Sequence, residues 1–396
     1  MSQSSALRGP FDGRLSEKPS TPFVAVIGVI WSQARPKAIQ YQNFSWTSST
    51  STMEDEPSTS DLQICVSAIK HRKDLIGYRN LLSYTSSLGI RVIPPSSLAP
   101  ESWTPIGTGT YSSTWRAALD AGSGPVVAVK QPNASFTRSK AELGDQVQHE
   151  ALSSMIQELR ILAHPKLKSH PNLPHILGVF FQEEENPPGI RPCLIFDLAV
   201  SNLHEYLSKH KPSDREMTTL CSHVASGICA LHAYGLVHGD IKPANVFLFL
   251  RDGELVATVG DLGTCGVASQ TCGVIPGTED FWAPECHTKS PFHSYVNRSF
   301  RDVYSFGLVV FSVLTCCKER PFPPQSQFAI QHNDAASLEF LFKRIPADLD
   351  VPDLCDVIRE SVKTEPEQRA RILGLCQELD AALGKHRLPH PPPPPP

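Results

Sequence analysis

Apolar and polar positions fall into five regimes along the chain. Over residues 1–61 they follow no period. The segment is rich in Ser, Thr and Pro, culminating in "SWTSSTSTMEDEPSTSD", and it holds too little apolar surface to offset the entropy of ordering. It is expected to be disordered. Apolar spacing returns over 62–99 in "LQICVSAIK" and "DLIGYRNLLSYTSSLGIRVIP", which predict a short strand and a helix in an extension that packs on the domain after it. From about residue 100, short alternating runs lie between glycine turns, "TPIGTGTYSSTWRAAL" and then "GPVVAVKQP", ahead of the helical spacing of "HEALSSMIQELRILAHP". Beyond about residue 201, helical patterns dominate. This order predicts an α+β fold of two lobes over 100–386. A small β-rich N-lobe covers about 100–200 and a large α-helical C-lobe about 201–386, with a cleft between them where ligands commonly bind. Residues 387–396 contain "LPHPPPPPP", a polyproline II tail.

Composition narrows the class of function. Hydrophobic residues make up 40% of the 396, enough for a real core, and the 35 prolines, many of them near the two ends, agree with unfolded flanks. Lys+Arg 36 against Asp+Glu 40 leaves no large field of one sign, so neither nucleic acid nor an anionic membrane is expected as a partner. The longest apolar runs, "FVAVIGVIW" from Phe23 and "FGLVVFSVLTCC" from Phe306, fall short of the roughly 20 residues that cross a bilayer. The first run could mimic a signal-peptide core with "SQA" as its cleavage site, but the long preceding segment with Asp12 and Glu17 is a poor match to a signal's basic start. The eleven cysteines show no C-x-x-C pair, which argues against a zinc module and for reduced thiols inside the cell, in cytoplasm or nucleus. Cys265 and Cys272 could form a redox pair, though unlinked thiols are the expectation.

Residues that carry chemistry then appear in order. "IGTGTYSST" places Gly107 and Gly109 in a strand turn, where backbone N–H groups can approach phosphate oxygens unhindered by a Cβ. Alone, two glycines in a hairpin are a turn and no more. "VVAVK" comes next, at the distance of the following strand, with Lys130 ending an alternation that would otherwise stay apolar. "LVHGDIKPANVFLF" brings a histidine, an aspartate, a lysine and an asparagine together at spacings that suit phosphoryl transfer. "VATVGDLGTCG", "GTEDFWAPE", "RDVYSFG" and "EPEQRARI" complete the order.

Together these segments resemble the eukaryotic protein kinase family, serine/threonine type, from about Trp103 to about Leu383. The resemblance implies a role for each matching residue. The lysine matching Lys130 holds the α- and β-phosphates of ATP and pairs with a glutamate on the next helix. Glu158 and Glu150 compete for that place, and Glu158 fits better, because it precedes the "HPNL" turn and its helix face continues through Leu159 and Leu162. Ile106, Gly107, Gly109, Thr114 and Ala128 would contact the nucleotide, with Phe196 behind the adenine and the backbone of Asp197 and Ala199 on the purine edge. Asp240 matches the aspartate that accepts or orients the substrate hydroxyl proton, and Lys242 the lysine that neutralises the transferred phosphoryl, which favours alcohol acceptors on protein substrates. Asn245 and Asp261 match the ligands of Mg²⁺. Thr278 would bridge Asp240 and Lys242, Glu285 would pair with Arg369, and Asp302 would hold the backbone of the catalytic loop.

Several positions depart from the family pattern. Gly239 stands where an arginine usually meets a phosphate on the activation loop. Its loss removes a regulatory anchor and touches no reacting atom, so little dependence on phosphorylation at Ser269 or Thr271 is expected. Ser112 replaces a third glycine and Thr114 a valine that covers the adenine, which predicts modestly weakened ATP binding. Leu262 fills the place of a phenylalanine. Two functions are compatible with this pattern: an active ATP-dependent protein serine/threonine kinase, or a pseudokinase that uses the fold as a binding module. A P-loop ATPase is disfavoured because no G-x-x-x-x-G-K-[ST] occurs. The proline tail could dock SH3-, WW- or profilin-like partners, and the Ser/Thr-rich N-terminal region is a candidate for autophosphorylation.

Overall fold

The computed structural model describes residues 84–385 apart from 99–101, 110, 121–122, 134–135, 138–145, 186–187, 269–276, 288, 292, 294–298 and 325–326. The N-terminal region 1–61, the tail 387–396, and Ser269, Thr271 and Cys272 lie outside them.

Alternation builds the small lobe. Its sheet holds β1 (Val92–Ile93), β2 (Thr104–Thr108), β3 (Ser112–Ala118), β4 (Val126–Pro132) and β5 (Phe136–Thr137). After α1 (Gln146–Ala163) it is completed by β6 (Ile176–Glu185) and β7 (Pro188–Asp197). The strands lie in the order β1-β6-β7-β4-β3-β2, with β5 also on β7. Val127 and Val129 of β4 are buried with Ala117, Phe180, Cys193 and Ile195. The period of two therefore sends Ala128 and Lys130 to the opposite face of the sheet. Burying that valine pair fully is worth roughly 1.5–3 kcal/mol for each side chain, so the same force that closes the core aims Lys130 away from it.

The sheet begins ahead of the boundary expected near residue 100. Val92–Ile93 pairs in parallel with Val179 and Phe180, and Leu98 joins the core. Two residues are too short a run to stand out as a strand by periodicity. A helical turn at 84–87 lies just before it. From that turn the Tyr84 hydroxyl accepts a hydrogen bond from Arg160 of α1, whose guanidinium lies 4.8 Å from the tyrosine ring centre. The extension thus touches the helix that carries Glu158.

The large lobe opens with β8 (Ser201–Asn202) and α2 (Leu203–Lys209), whose first turn is capped where Asn202 accepts from the Glu205 N–H at 2.9 Å. Helix α3 (Asp214–His232) comes next, then β9 (Leu236–Val237), β10 (Val246–Arg251), β11 (Glu254–Val259) and β12 (Gly266–Val267). Helices α4 (Phe300–Leu314), α5 (Gln327–Gln331), α6 (Asp334–Phe342), α7 (Pro352–Ser361) and α8 (Ile372–Lys385) complete it. The run "DVYSFGLVVFSVL" makes α4 the axis of the lobe, buried from Arg301 through Leu314. Such a helix, apolar on all sides, is stable only in the middle of a core. Among the described residues no helix is long and apolar enough to cross a membrane.

Candidate active site

Register in the small lobe lines up one side of the cleft. Gly107 pairs with Thr114, Thr114 with Lys130 and Lys130 with Leu194, and residues directly opposite one another share a face. One strand further along, Ala128 pairs with Phe196. The turn between β2 and β3 is braced from β4. The Asn133 N–H donates to Tyr111 O at 2.8 Å, its side-chain amide donates to Gly109 O at 3.1 Å, and its amide oxygen accepts from Ser113 Oγ at 3.1 Å. Gly109 N–H closes the turn on Ser112 O at 2.8 Å. These bonds hold the hairpin although Ser112 replaces a glycine.

From that face Lys130 Nζ reaches two carboxylates, Glu158 Oε2 at 2.6 Å and Asp261 Oδ1 at 2.7 Å. Glu158 sits among Met155, Ile156, Leu159 and Leu162 on the buried side of α1, whereas Glu150 is exposed. Of the two glutamates, Glu158 is thus the partner of Lys130. Burial opposes the charge on Lys130, but the neighbouring Glu158 and Asp261 hold its ammonium above the usual lysine range. One cation serves two carboxylates, and they respond differently. Burial pushes the Glu158 carboxyl up against the pull of Lys130. At Asp261, whose side chain is 40% exposed, Lys130 prevails over burial and holds the carboxyl below the usual range. Asp261 itself has φ 61 and ψ 59, a left-handed conformation that is uncommon outside glycine and recurs at functional sites.

The β10/β11 hairpin brings the other groups alongside. Val246 pairs with Val259, which sets Asn245 beside Gly260, and Gly260 N–H donates to Asn245 O at 2.9 Å. His238 Nε2 meets Gly260 O at 2.9 Å while Asp240 N–H donates to His238 Nδ1 at 3.2 Å. The imidazole therefore ties the loop of Asp240 to the strand end that carries Asp261. Around the Asp240 carboxylate the bonds are dense. Lys242 Nζ donates to its Oδ2 at 2.7 Å, Thr278 Oγ1 to its Oδ1 at 2.9 Å and Asn245 Nδ2 to its Oδ2 at 2.9 Å. Lys242 Nζ also donates to Thr278 Oγ1 at 2.6 Å, so Thr278 bridges Asp240 and Lys242.

Beneath this loop lies Asp302, which is 1% exposed. It accepts from the N–H groups of His238 at 2.7 Å and Gly239 at 2.9 Å, and it meets His232 Nε2 at 2.9 Å. Burial disfavours its charge, yet these bonds, led by His232, hold its carboxyl below the usual range. Further out, Glu285 and Arg369 form a two-pronged ion pair at 2.7 and 2.8 Å.

Ile106, Gly107 and Gly109 are exposed at the hairpin, while Asp197 and Ala199 are half-buried where β7 leads into the large lobe. Of the groups that build the site, Asn133 and His232 do not stand out in the sequence. Asn133 reads there as an ordinary turn residue after "VVAVKQP", and only the hairpin's closure gives it three partners. Free thiols are the state of the described cysteines, and burial pushes the Cys286 thiol up to about 11, which makes it a poor nucleophile.

The sequence pattern of the protein kinase domain family matches residues 101–379. Among curated proteins, serine/threonine-protein kinase PkaA of Streptomyces coelicolor is 27% identical over 285 residues, 69% of this chain and 48% of that protein. Serine/threonine/tyrosine-protein kinase HT1 of Arabidopsis thaliana is 28% identical over 229 residues, 54% of this chain and 52% of that protein. Serine/threonine-protein kinase ksp1 of Schizosaccharomyces pombe is 24% identical over 236 residues, 59% of this chain and 48% of that protein. The chain spans about half the length of these relatives. With its β-sheet small lobe, its helical large lobe and the extent of this match, the chain belongs to the protein kinase domain family.

Proposed function

We propose that the chain transfers the γ-phosphoryl group of Mg·ATP to serine and threonine hydroxyls of proteins, with no requirement for a phosphate on its own activation loop. The observation that carries this reading is the density of bonds around Asp240, set beside the Lys130–Glu158–Asp261 triad. Lys130 holds the α- and β-phosphates, and Glu158 keeps its ammonium on the cleft side of β4. Asp240 accepts the proton of the acceptor hydroxyl as that oxygen bonds to phosphorus and ADP leaves. Lys242 balances the charge that gathers on the transferred group, and Thr278 fixes Lys242 and Asp240 relative to one another. Asn245 commits its amide nitrogen to Asp240, which leaves its oxygen to meet a cation. With the carboxylate of Asp261, this hard-oxygen pair would hold a magnesium ion. Magnesium, when bound, neutralises charge on the β- and γ-oxygens.

Serine and threonine stand in the names of all three of these relatives, and tyrosine in one, which favours serine and threonine as acceptors. The binding-module reading draws on Ser112 and Thr114, but the Asn133 brace keeps the hairpin formed despite them. The free thiols of the described cysteines suit an intracellular setting, and the proline-rich sequence at 387–396 is a candidate to dock SH3-, WW- or profilin-like partners.

The test is incubation of the full chain with γ-labelled Mg·ATP and mapping of the label, in wild type and in the double variant Ser269→Ala, Thr271→Ala. Label on serine and threonine at an unchanged rate in both proteins is the expected result, with the Ser/Thr-rich N-terminal region as acceptor. A fall of about tenfold in the double variant, the size of effect that a lost charge-assisted contact produces, would restore control by the activation loop. Wild-type protein that binds ATP but acquires no label would favour the binding module.

A further inference from the structure

We infer that Arg301 is a positioning residue that holds the catalytic loop from inside the large lobe, in place of an arginine at 239 and its phosphate. The inference rests on Asp240 serving the acceptor hydroxyl and concerns how that side chain is kept in place.

Two successive residues at the start of α4 grip one stretch of backbone. Asp302 accepts from the N–H of Gly239, and Arg301 Nη2 donates to the carbonyl of the same residue at 2.9 Å. Residue 239 is thus held at both its donor and its acceptor, immediately before Asp240. Arg301 is 4% exposed, so this charge-assisted bond forms away from water, where it is stronger than at the surface. The guanidinium's planar fork loses less freedom for each bond than an ammonium stem would.

The same carbonyl is where the segment carrying Thr278 comes in. Gly277 has φ +123, and a Cβ placed on it would lie 2.6 Å from Gly239 O, 3.1 Å from Trp282 Nε1 and 3.4 Å from Arg301 Nη2. Gly239 itself has φ +83, a region that glycine enters without strain. Two glycines therefore let main chain pack on main chain, and Arg301 closes the junction. Thr278, one residue on, bonds to both Asp240 and Lys242. A loop ordered by phosphorylation needs a cation that meets a group added later. Here the partner of the cation is a peptide carbonyl that is always present, which accounts for a glycine at 239 in a working loop.

The test compares wild type, Arg301→Met and Arg301→Lys by two independent readouts. The first is amide hydrogen exchange over residues 238–240 and 277–282, which needs no catalysis. The second is steady-state kcat and KM for ATP. In Arg301→Met we expect faster exchange confined to those two segments. We also expect a fall of roughly ten- to a hundredfold in kcat, the scale of a misplaced reacting group, with KM for ATP little changed. Arg301→Lys, which keeps a charged donor, should lie between the two. Unchanged exchange or unchanged kcat in Arg301→Met would overturn the inference, as would an equal rise in exchange across the whole domain. If Arg301→Met fails to fold, Arg301→Lys decides: wild-type exchange and kcat there would overturn it. Inactive wild-type protein would sink the kinase reading and leave the exchange comparison standing.

Discussion

Asp240→Asn is expected to lower kcat for phosphoryl transfer by roughly 10²–10⁴-fold, the usual contribution of a positioned general base, while nucleotide affinity stays close to wild type. The substitution suits the site. The Asp240 carboxylate accepts from Lys242 and Asn245 at one oxygen and from Thr278 at the other. An asparagine can turn its oxygen to the two nitrogen donors and its amide nitrogen to the threonine hydroxyl, which is able to accept. The loop should therefore keep its shape and lose only the basic oxygen. Its backbone anchors, Asp302 below and His238 beside, do not depend on the side chain at 240. Rapid-quench transfer and equilibrium titration with ATP on the same preparation separate the outcomes. If affinity falls in step with rate, Asp240 is holding the fold and not serving the acceptor.

Removing either partner of the Glu285–Arg369 pair is expected to cost roughly 3–5 kcal/mol of stability, because the other charge is left buried without compensation. All five guanidinium donors of Arg369 are used. Nε donates to Lys363 O, Nη1 to Glu285 Oε1 and Phe300 O, and Nη2 to Glu285 Oε2 and Thr364 O. The Tyr304 ring lies 4.8 Å from the guanidinium carbon. Both side chains of the pair are 0% exposed, so solvent screening does not soften the loss. The pair ties the segment after Thr278 to α4 and to the turn before α8, and Glu285→Ala or Arg369→Ala should loosen all three. Chemical denaturation of the two variants measures the effect. A change under about 1 kcal/mol, the range of an exposed pair, would mean that the pair is not buried in solution.

Much of this site was legible in the sequence because its chemistry is held by short segments in a fixed order. Lys130 ends a visible alternation, Asp240, Lys242 and Asn245 lie within six residues, and Asp261 comes at the end of a β-strand. The choice of Glu158 over Glu150 could be argued from its place before the "HPNL" turn and from the helix face it shares with Leu159 and Leu162. What the sequence concealed depends on closure in three dimensions. Arg301 reads as one charge at the start of an apolar helix, and its role exists only because Gly239 and Gly277 let two backbones meet above it. Asn133 has the look of a turn residue, yet it closes a hairpin some twenty residues upstream. Val92–Ile93 gained its place as a strand by pairing with β6 and by the burial of Leu98, neither of which a two-residue run can announce. Propensity and periodicity report local preference, while these features depend on partners far along the chain.

At the centre stands one claim: Lys130, Asp240, Asn245 and Asp261 serve a single magnesium-bound nucleotide and pass on its γ-phosphoryl group. Single-turnover transfer from Mg·ATP, compared in wild type, Lys130→Met and Asp261→Asn, measures this most directly. Transfer by wild type, with a rate lower by about 10²-fold or more in each variant, is the predicted result, the loss typical of one preorganised electrostatic contact. Three proteins with the same rate, or with none, would contradict it.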